Sequence, residues 1–225
     1  MSDNQKPPDS LEMPDPSRLA GWASHLSETQ LEMARAYMHE LLYFNRRLNL
    51  ISAQTVGRVD AVHILDSVRA WGLVQPLVKP GQLIHDFGSG NGLPGLLCAA
   101  IAPDYQFRLI DRDQRKMEFC KHVASKLKLK NVVVSCEDVT KRPKNSIEVG
   151  ISRGFAGVTK SLLLTRAQFK IGGSFFMMKG EGWSLELAEI PTAIFGAWKT
   201  EMIGQYTLPE TAADFVVLQC RKTAE

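Results

Sequence analysis

The chain contains no run approaching the roughly 18 consecutive apolar residues a membrane helix needs. Its polar, proline-rich start, MSDNQKPPDSLEMPDP, also lacks the basic-then-apolar pattern of a secretion signal. These absences exclude a membrane helix as the organising feature and make cytoplasmic residence, with no membrane partner, the expectation. Cysteine is scarce: Cys98, Cys120, Cys136 and Cys220 form no CxxC and have no histidine at zinc spacing, so they are read as buried thiols and no metal is expected. No Gly-Lys-Ser/Thr follows the glycine-rich stretch, which excludes a P-loop. An excess of one charge is lacking too, since a formal charge of +3 is too small to demand a polyanionic partner. Basic residues do gather locally at Arg46-Arg47, at Lys126, Lys128 and Lys130, and at Lys141, Arg142 and Lys144. An RNA-facing surface and a set of solvated helix ends both fit such clusters.

What is present is an ordinary globular composition, 44% hydrophobic and 23% charged, in 225 residues, enough for one domain with an N-terminal extension. Pro7, Pro8, Pro14 and Pro16 and a shortage of large apolar groups predict a disordered tail over 1–17. Ser27-Glu-Thr-Gln30 fits a capping box. Leu31, Ala34, Met38 and Leu41 then recur at helical spacing, which predicts an amphipathic helix to about Arg47. A second helical pattern runs from about Val59 to Trp71, and Pro76 to Pro80 closes a helical extension over 18–80. From Gly81 short apolar runs alternate with helical patterns, predicting an α/β unit over 81–225 that forms one structural unit with the extension. Strands are expected at 82–87, 106–111, 132–136, 147–152 and 173–179, helices near 94–102, 114–128 and 158–169, and an antiparallel finish at about 198–206 and 213–221.

The chemistry gathers at the first of these strands. Leu83-Ile-His-Asp-Phe87 runs into Gly88-Ser-Gly90-Asn-Gly92-Leu-Pro94-Gly95, where glycines permit positive φ and close approach of a ligand and Pro94 suits a first helical turn. In an open α/β sheet such a loop lies outside the carboxyl end of a central strand, where ligands bind. Nineteen residues past Gly92, Asp111 ends the next strand, where its carboxylate can accept hydrogen bonds from both hydroxyls of a ribose. The dense Asp86-x-Gly88-x-Gly90-x-Gly92 arrangement is the style of S-adenosylmethionine-dependent methyltransferases. Gly90-x-Gly92-x-x-Gly95 also satisfies GxGxxG literally, so an NAD(P)-dependent oxidoreductase is the alternative enzyme class.

Several segments in order and spacing carry a more specific likeness: Asn45-Arg-Arg-Leu-Asn49-Leu50, His63-Ile-Leu-Asp66-Ser67, Asp86 through Gly95, Ile151-Ser-Arg153, and Lys179-Gly180. Through them residues 40–222 resemble the bacterial small-subunit ribosomal RNA guanine-N7 methyltransferases, also called glucose-inhibited division protein B. The resemblance implies a class I, Rossmann-like methyltransferase fold with an added N-terminal helical part. It implies S-adenosylmethionine as donor, and as acceptor a guanine N7 in the decoding region of 16S ribosomal RNA, free or in the small subunit. Carried over by position, cofactor contacts fall on Gly88, Leu93, Val139-Thr140 and Arg153, beside Asp86, Gly90, Gly92 and Asp111 from the loop reading. The chain departs from the family at Val62, where relatives often carry arginine, and at Thr140, where an acid is usual. Those departures leave a third reading, a cofactor-binding RNA module without catalysis.

Guanine N7 presents a lone pair, so positioning groups are sought in place of a catalytic base. Arg153 and Lys179, at strand ends on the ligand side, can hold guanine O6, a phosphate or the cofactor carboxylate. His63 and Asp66, three apart on one helix face, can cover the active site. Asn45, Arg46, Arg47 and Asn49 are the RNA-facing candidates, although both asparagines also suit helix-end hydrogen bonding. A monomer is expected.

Overall fold

The computed structural model describes residues 13–211 and 213–225; the stretch 1–12 of the expected tail lies outside the described residues. Two residues read as tail, Pro16 and Ser17, instead open helix α1 (Pro16–Trp22), because Asp15 accepts a hydrogen bond from the Ser17 N–H and a proline at the first position costs no intrahelical bond. Leu19 and Ala23 then bury in the core, which offsets the ordering of this segment.

The capping box forms as the spacing requires: Ser27 and Gln30 exchange side-chain and backbone bonds at the start of α2 (Glu28–Leu48). Leu31, Ala34, Met38 and Leu41 make its buried stripe. It ends at Asn49, which takes the left-handed conformation at φ 48°. The second helical pattern is less regular than its periodicity suggests. A turn of 3-10 helix (Ala53–Arg58) and a turn of π-helix (Asp60–Leu65) precede α3 (Asp66–Val74).

The remainder alternates strand and helix: β1 (Leu83–Phe87), α4 (Gly95–Ile101), β2 (Gln106–Asp111), α5 (Gln114–Lys126), β3 (Val132–Cys136), β4 (Ile147–Arg153), α6 (Val158–Thr165) and β5 (Phe169–Lys179). Two short helices, α7 (Trp183–Ala188) and α8 (Thr192–Phe195), lead to the hairpin β6 (Trp198–Thr207) and β7 (Asp214–Lys222). The sheet order is β3-β2-β1-β4-β5-β7-β6. Strands β1 to β5 run parallel, and β7 inserts antiparallel between β5 and β6. The carboxyl ends of β1, β2, β4 and β5 therefore share one edge, which gathers Phe87, Asp111, Arg153 and Lys179.

Two predicted boundaries move. α6 stops at Thr165 and not near residue 169. There the fully buried Lys222 ammonium donates to the carbonyls of Arg166 and Phe169, and β5 begins at once. β5 is accordingly longer than expected and passes through Gly172-Gly173, beside a register shift against β4. Gly173 sits where a Cβ would lie 2.9–3.1 Å from three carbonyl oxygens. Cys98, Cys120 and Cys220 are buried as read, but Cys136 is exposed, because it ends the outermost strand.

Strand alternation divides the core between the two faces of the sheet: Phe176 and Met178 join α2 to α5 on one side, Phe175 and Met177 face α6 and α8 on the other. Buried Glu40 of α2 accepts from His122 and Lys126 of α5, each 2.9 Å away, and so locks these helices side by side. No helix among the described residues is long and apolar enough to cross a membrane. At Gly150 of β4, a Cβ would stand 2.4 Å from the Phe87 ring and 2.7 Å from Phe169. Gly150→Ala is therefore expected to lower stability by about 1–3 kcal/mol through overpacking, read by chemical denaturation.

Candidate active site: two adjoining cavities

The glycine-rich loop is shaped by its own anchors. Gly88, Gly90 and Gly92 take φ of 64°, 51° and 89°, conformations that side chains disfavour. The Gly88 and Ser89 N–H groups donate to Ile110 O, and the Ser89 hydroxyl donates to Asp86 O while accepting from the Ile110 N–H. Asp86 is fully buried behind the loop. One carboxylate oxygen accepts from the Gly95 N–H at 3.0 Å, holding the start of α4. Burial pushes its carboxyl up to about 7, against the pull of that N–H. Asp111 anchors the front: its two oxygens accept from the N–H groups of Gly90 and Asp113, both at 2.9 Å. One accepting direction on each oxygen remains for a ligand.

Before this loop lies a cavity of about 270 Å³, bounded by Gly88, Gly90, Asp111, Val139, Gly154 and Phe155, with Arg112 and Lys116 on the same wall. The sequence candidates take different places about this cavity. Asp86, Gly92 and Leu93 do not line it: Asp86 and Leu93 are buried, and a Cβ at Gly92 would point 2.9 Å from Leu96. These residues form the loop from behind. Val139 does line the cavity, but Thr140 does not; its hydroxyl donates to Asp138 at 2.8 Å. Glu137 and Asp138, which the sequence reading did not single out, line the cavity beside Val139. The signal was available: Glu137-Asp138 directly follows β3, as Asp111 ends β2.

Arg153, at the end of β4 and next to Gly154 of this cavity, ties the strand edge to the helical extension. Its Nη1 donates to Asp66 at 2.9 Å, and its Nη2 lies 2.6 Å from His63 Nδ1. A guanidinium can only donate, so Nδ1 accepts and the neutral ring carries its proton on Nε2, directed at Thr55 Oγ1 at 2.9 Å. Burial first, and the Arg153 charge second, push His63 down to about 3. Tyr206 of β6, absent from the sequence reading, donates to the other Asp66 oxygen at 2.7 Å. No local pattern marks it; the hairpin fold brings it there.

A second cavity of about 340 Å³ opens beside this cluster, lined by Val62, Asp66, Met178, Lys179, Gly180 and Phe215, and it shares Arg153's neighbour Gly154 with the first. The Lys179 ammonium donates to Ala156 O at 3.0 Å and to Glu186 at 2.7 Å, and the same Glu186 oxygen accepts from the Val158 N–H. Lys179 and Glu186 thereby pin the segment 154–158 between the cavities. Glu186 is a further residue the sequence did not single out.

At the end of α2, Asn45 uses its carboxamide oxygen to accept from the Ile51 N–H, and Asn49 is the left-handed cap, so both serve the helix end. Arg46, Arg47 and Asn49 are exposed. This end abuts the glycine loop, where Asn91 donates to Leu50 O and Tyr37 donates to Asn91 O.

His63 supplies a pH test. Its folded value lies below its unfolded one, so on acidification from about 6.5 toward 3 the unfolded chain gains a proton that the folded one refuses, and stability falls. Buried His85, pushed down to about 4, acts in the same direction, whereas Asp86, raised to about 7, opposes it. His63→Gln is expected to flatten the stability–pH slope between those limits by about 1.4 kcal/mol per pH unit, measured by denaturation across pH.

The family profile of rRNA small subunit methyltransferase G, GidB, matches residues 30–203. The ribosomal RNA small subunit methyltransferase G 3 of Bdellovibrio bacteriovorus is 39% identical over 207 residues, covering 92% of this chain and 94% of that protein. The corresponding protein of Laribacter hongkongensis is 35% identical over 167 residues, 74% of this chain and 78% of its own. The tRNA (m1A58) methyltransferase TrmI from Aquifex aeolicus shares the fold at a TM-score of 0.54 and 12% identity, over 71% of this chain and 69% of its own. With the sheet order and the loop in place, the chain belongs to the rRNA small subunit methyltransferase G family and has the class I methyltransferase fold.

Proposed function

We propose that the protein transfers a methyl group from S-adenosylmethionine to N7 of a guanine in small-subunit ribosomal RNA, using the unit 81–225 with the 18–80 extension as one wall of its site. The observation that carries this reading is the pair of cavities meeting at Gly154, one on the Asp111 side and one on the Arg153 side. The first suits the cofactor. Asp111 offers carboxylate oxygens to ribose hydroxyls, Val139, Phe155 and Ile110 give apolar walls for adenine, and at Gly90 a Cβ would meet no atom closer than 3.6 Å. When bound, S-adenosylmethionine supplies an electrophilic methyl on its sulfonium.

The residues present suit a reaction that needs alignment and no proton removal. His63 accepts from Arg153 through Nδ1 and resists protonation, so it holds the guanidinium in place. Both terminal nitrogens of Arg153 are engaged, and Lys179 is engaged with Glu186 and Ala156 O. These cations therefore position the walls, and in-line approach with exclusion of water provides the rate. The topology also speaks against the nicotinamide alternative, since β7 inserts antiparallel between β5 and β6 where the dinucleotide fold has an order of 3-2-1-4-5-6.

Gly90→Val is expected to abolish S-adenosylmethionine binding, because the side chain projects into the cleft at a φ of 51°. Asp111→Ala is expected to weaken it by about 1–3 kcal/mol through lost charge-assisted hydrogen bonds. Calorimetric titration measures both, and wild-type affinity in either would refute the cofactor placement. Labelled-methyl transfer to small-subunit RNA and particles from a strain lacking the enzyme, with mapping of the modified guanines, tests the reaction. Cofactor binding with no incorporation into any RNA would overturn it.

A further inference from the structure

The second cavity has a property its charged lining conceals: the charges cancel. Arg153 is paired with Asp66, and Lys179 with Glu186. A phosphate entering here would meet two cations whose charge is already balanced by a carboxylate, with a further bond from each to an imidazole or a carbonyl. An uncharged group faces no such competition. The rest of the lining is apolar, with Val62, Met178 and Phe215 around the opening.

Phe215 stands out within this lining. Its ring is stacked on Tyr206, with centroids 5.9 Å apart and planes 16° from parallel. The Tyr206 hydroxyl is tied to Asp66 at 2.7 Å, so the stack is held by the same network that fixes Arg153. Gly180 lies against the ring, with a hypothetical Cβ 3.7 Å away, so the absence of a side chain there keeps the chamber open. A fixed aromatic in a charge-balanced chamber, next to the cavity suited to a methyl donor, matches a flat, neutral, base-sized occupant. An enzyme acting on a nucleobase must take it out of its stack and repay part of that cost by stacking it on a side chain.

We propose that this chamber seats one unstacked guanine of the RNA acceptor, with Phe215, backed by Tyr206, as its stacking surface. The inference rests on the methyl-transfer reading, and its test separates the two. Phe215→Leu keeps an apolar group but removes the ring; Phe215→Tyr keeps the ring. With unmodified small-subunit RNA, Phe215→Leu is expected to lower kcat/KM about ten- to a hundred-fold, the range of a lost base–aromatic stack. Phe215→Tyr, which keeps the ring, is expected to lose far less kcat/KM than Phe215→Leu. S-adenosylmethionine affinity should be unchanged in both, and because Phe215 also packs against the core the comparison is made at a temperature where both variants are fully folded. RNA affinity of the cofactor-saturated protein should fall in Phe215→Leu with no change in the slope of log Kd against log salt, because no phosphate contact is lost. Wild-type kcat/KM and RNA affinity in Phe215→Leu, an equal loss in Phe215→Tyr, or a parallel loss of cofactor affinity would overturn the proposal. Failure of the methyl-transfer reading would appear as no incorporation by the wild-type protein, and the RNA-affinity comparison would still decide the role of Phe215.

Discussion

The Arg153 guanidinium, clamped between Asp66 and His63, is the contact on which the arrangement of the site depends. It brings the end of a central strand to a π-helical turn, through His63, and to the start of α3, through Asp66, 90 and 87 residues earlier in the chain. Tyr206 completes the clamp from the hairpin at the far side of the sheet. Removing one partner of a buried pair typically costs about 3–5 kcal/mol, since the other charge is left without compensation. Three distant segments are thereby held in one geometry, and the walls of both cavities follow from it. The π-helical turn has a local role as well: its wider winding still leaves His63 and Asp66 on the same guanidinium, as their spacing of three suggested.

The glycine loop uses acids in the same way, as anchors for backbone. Asp86 holds Gly95 from behind and Asp111 holds Gly90 in front, so the loop is fixed at both ends by carboxylates accepting N–H groups. Such preorganisation lowers the cost of ordering a loop on binding. The two acids differ in what remains to them. Asp86 is sealed behind Gly95 and Ser89, whereas Asp111 keeps accepting capacity toward the cleft. Their positions in a short motif look equivalent; their exposures make one structural and leave the other available.

Electrostatics divides the two cavities. The first carries Asp111, Glu137 and Asp138 against Arg112 and Lys116, a polar wall suited to the hydroxyls and charges of a nucleoside cofactor. The second holds two closed ion pairs and an aromatic stack. A donor with polar handles and an acceptor that is a neutral base would be sorted by this contrast without any group that changes protonation.

Much of this was legible in the sequence because it is local. The capping box at Ser27, the stripe from Leu31 to Leu41, the glycine loop after a buried strand and the acid ending the next strand are written within a few residues, where backbone geometry and side-chain period decide the outcome. The ordered segments also identified the family, and the strand and helix order implied the fold. Local composition misled where a longer-range partner intervened: Pro16 begins a helix because Leu19 and Ala23 find a core, and α6 ends early where Lys222, from the last strand, binds the carbonyls of Arg166 and Phe169 just beyond it. Side-chain direction was beyond reach for the same reason. Whether Lys179 reaches a ligand or Glu186, whether Asp86 faces the cleft or Gly95, and which aromatic stands beside Arg153 depend on how the antiparallel hairpin and the helical extension close over the sheet. The sequence by itself determined a strand, a glycine loop and an acid, and together these border the first cavity. Only the tertiary structure decided the second cavity, because its walls come from residues 62 to 215 and no stretch of chain contains them together.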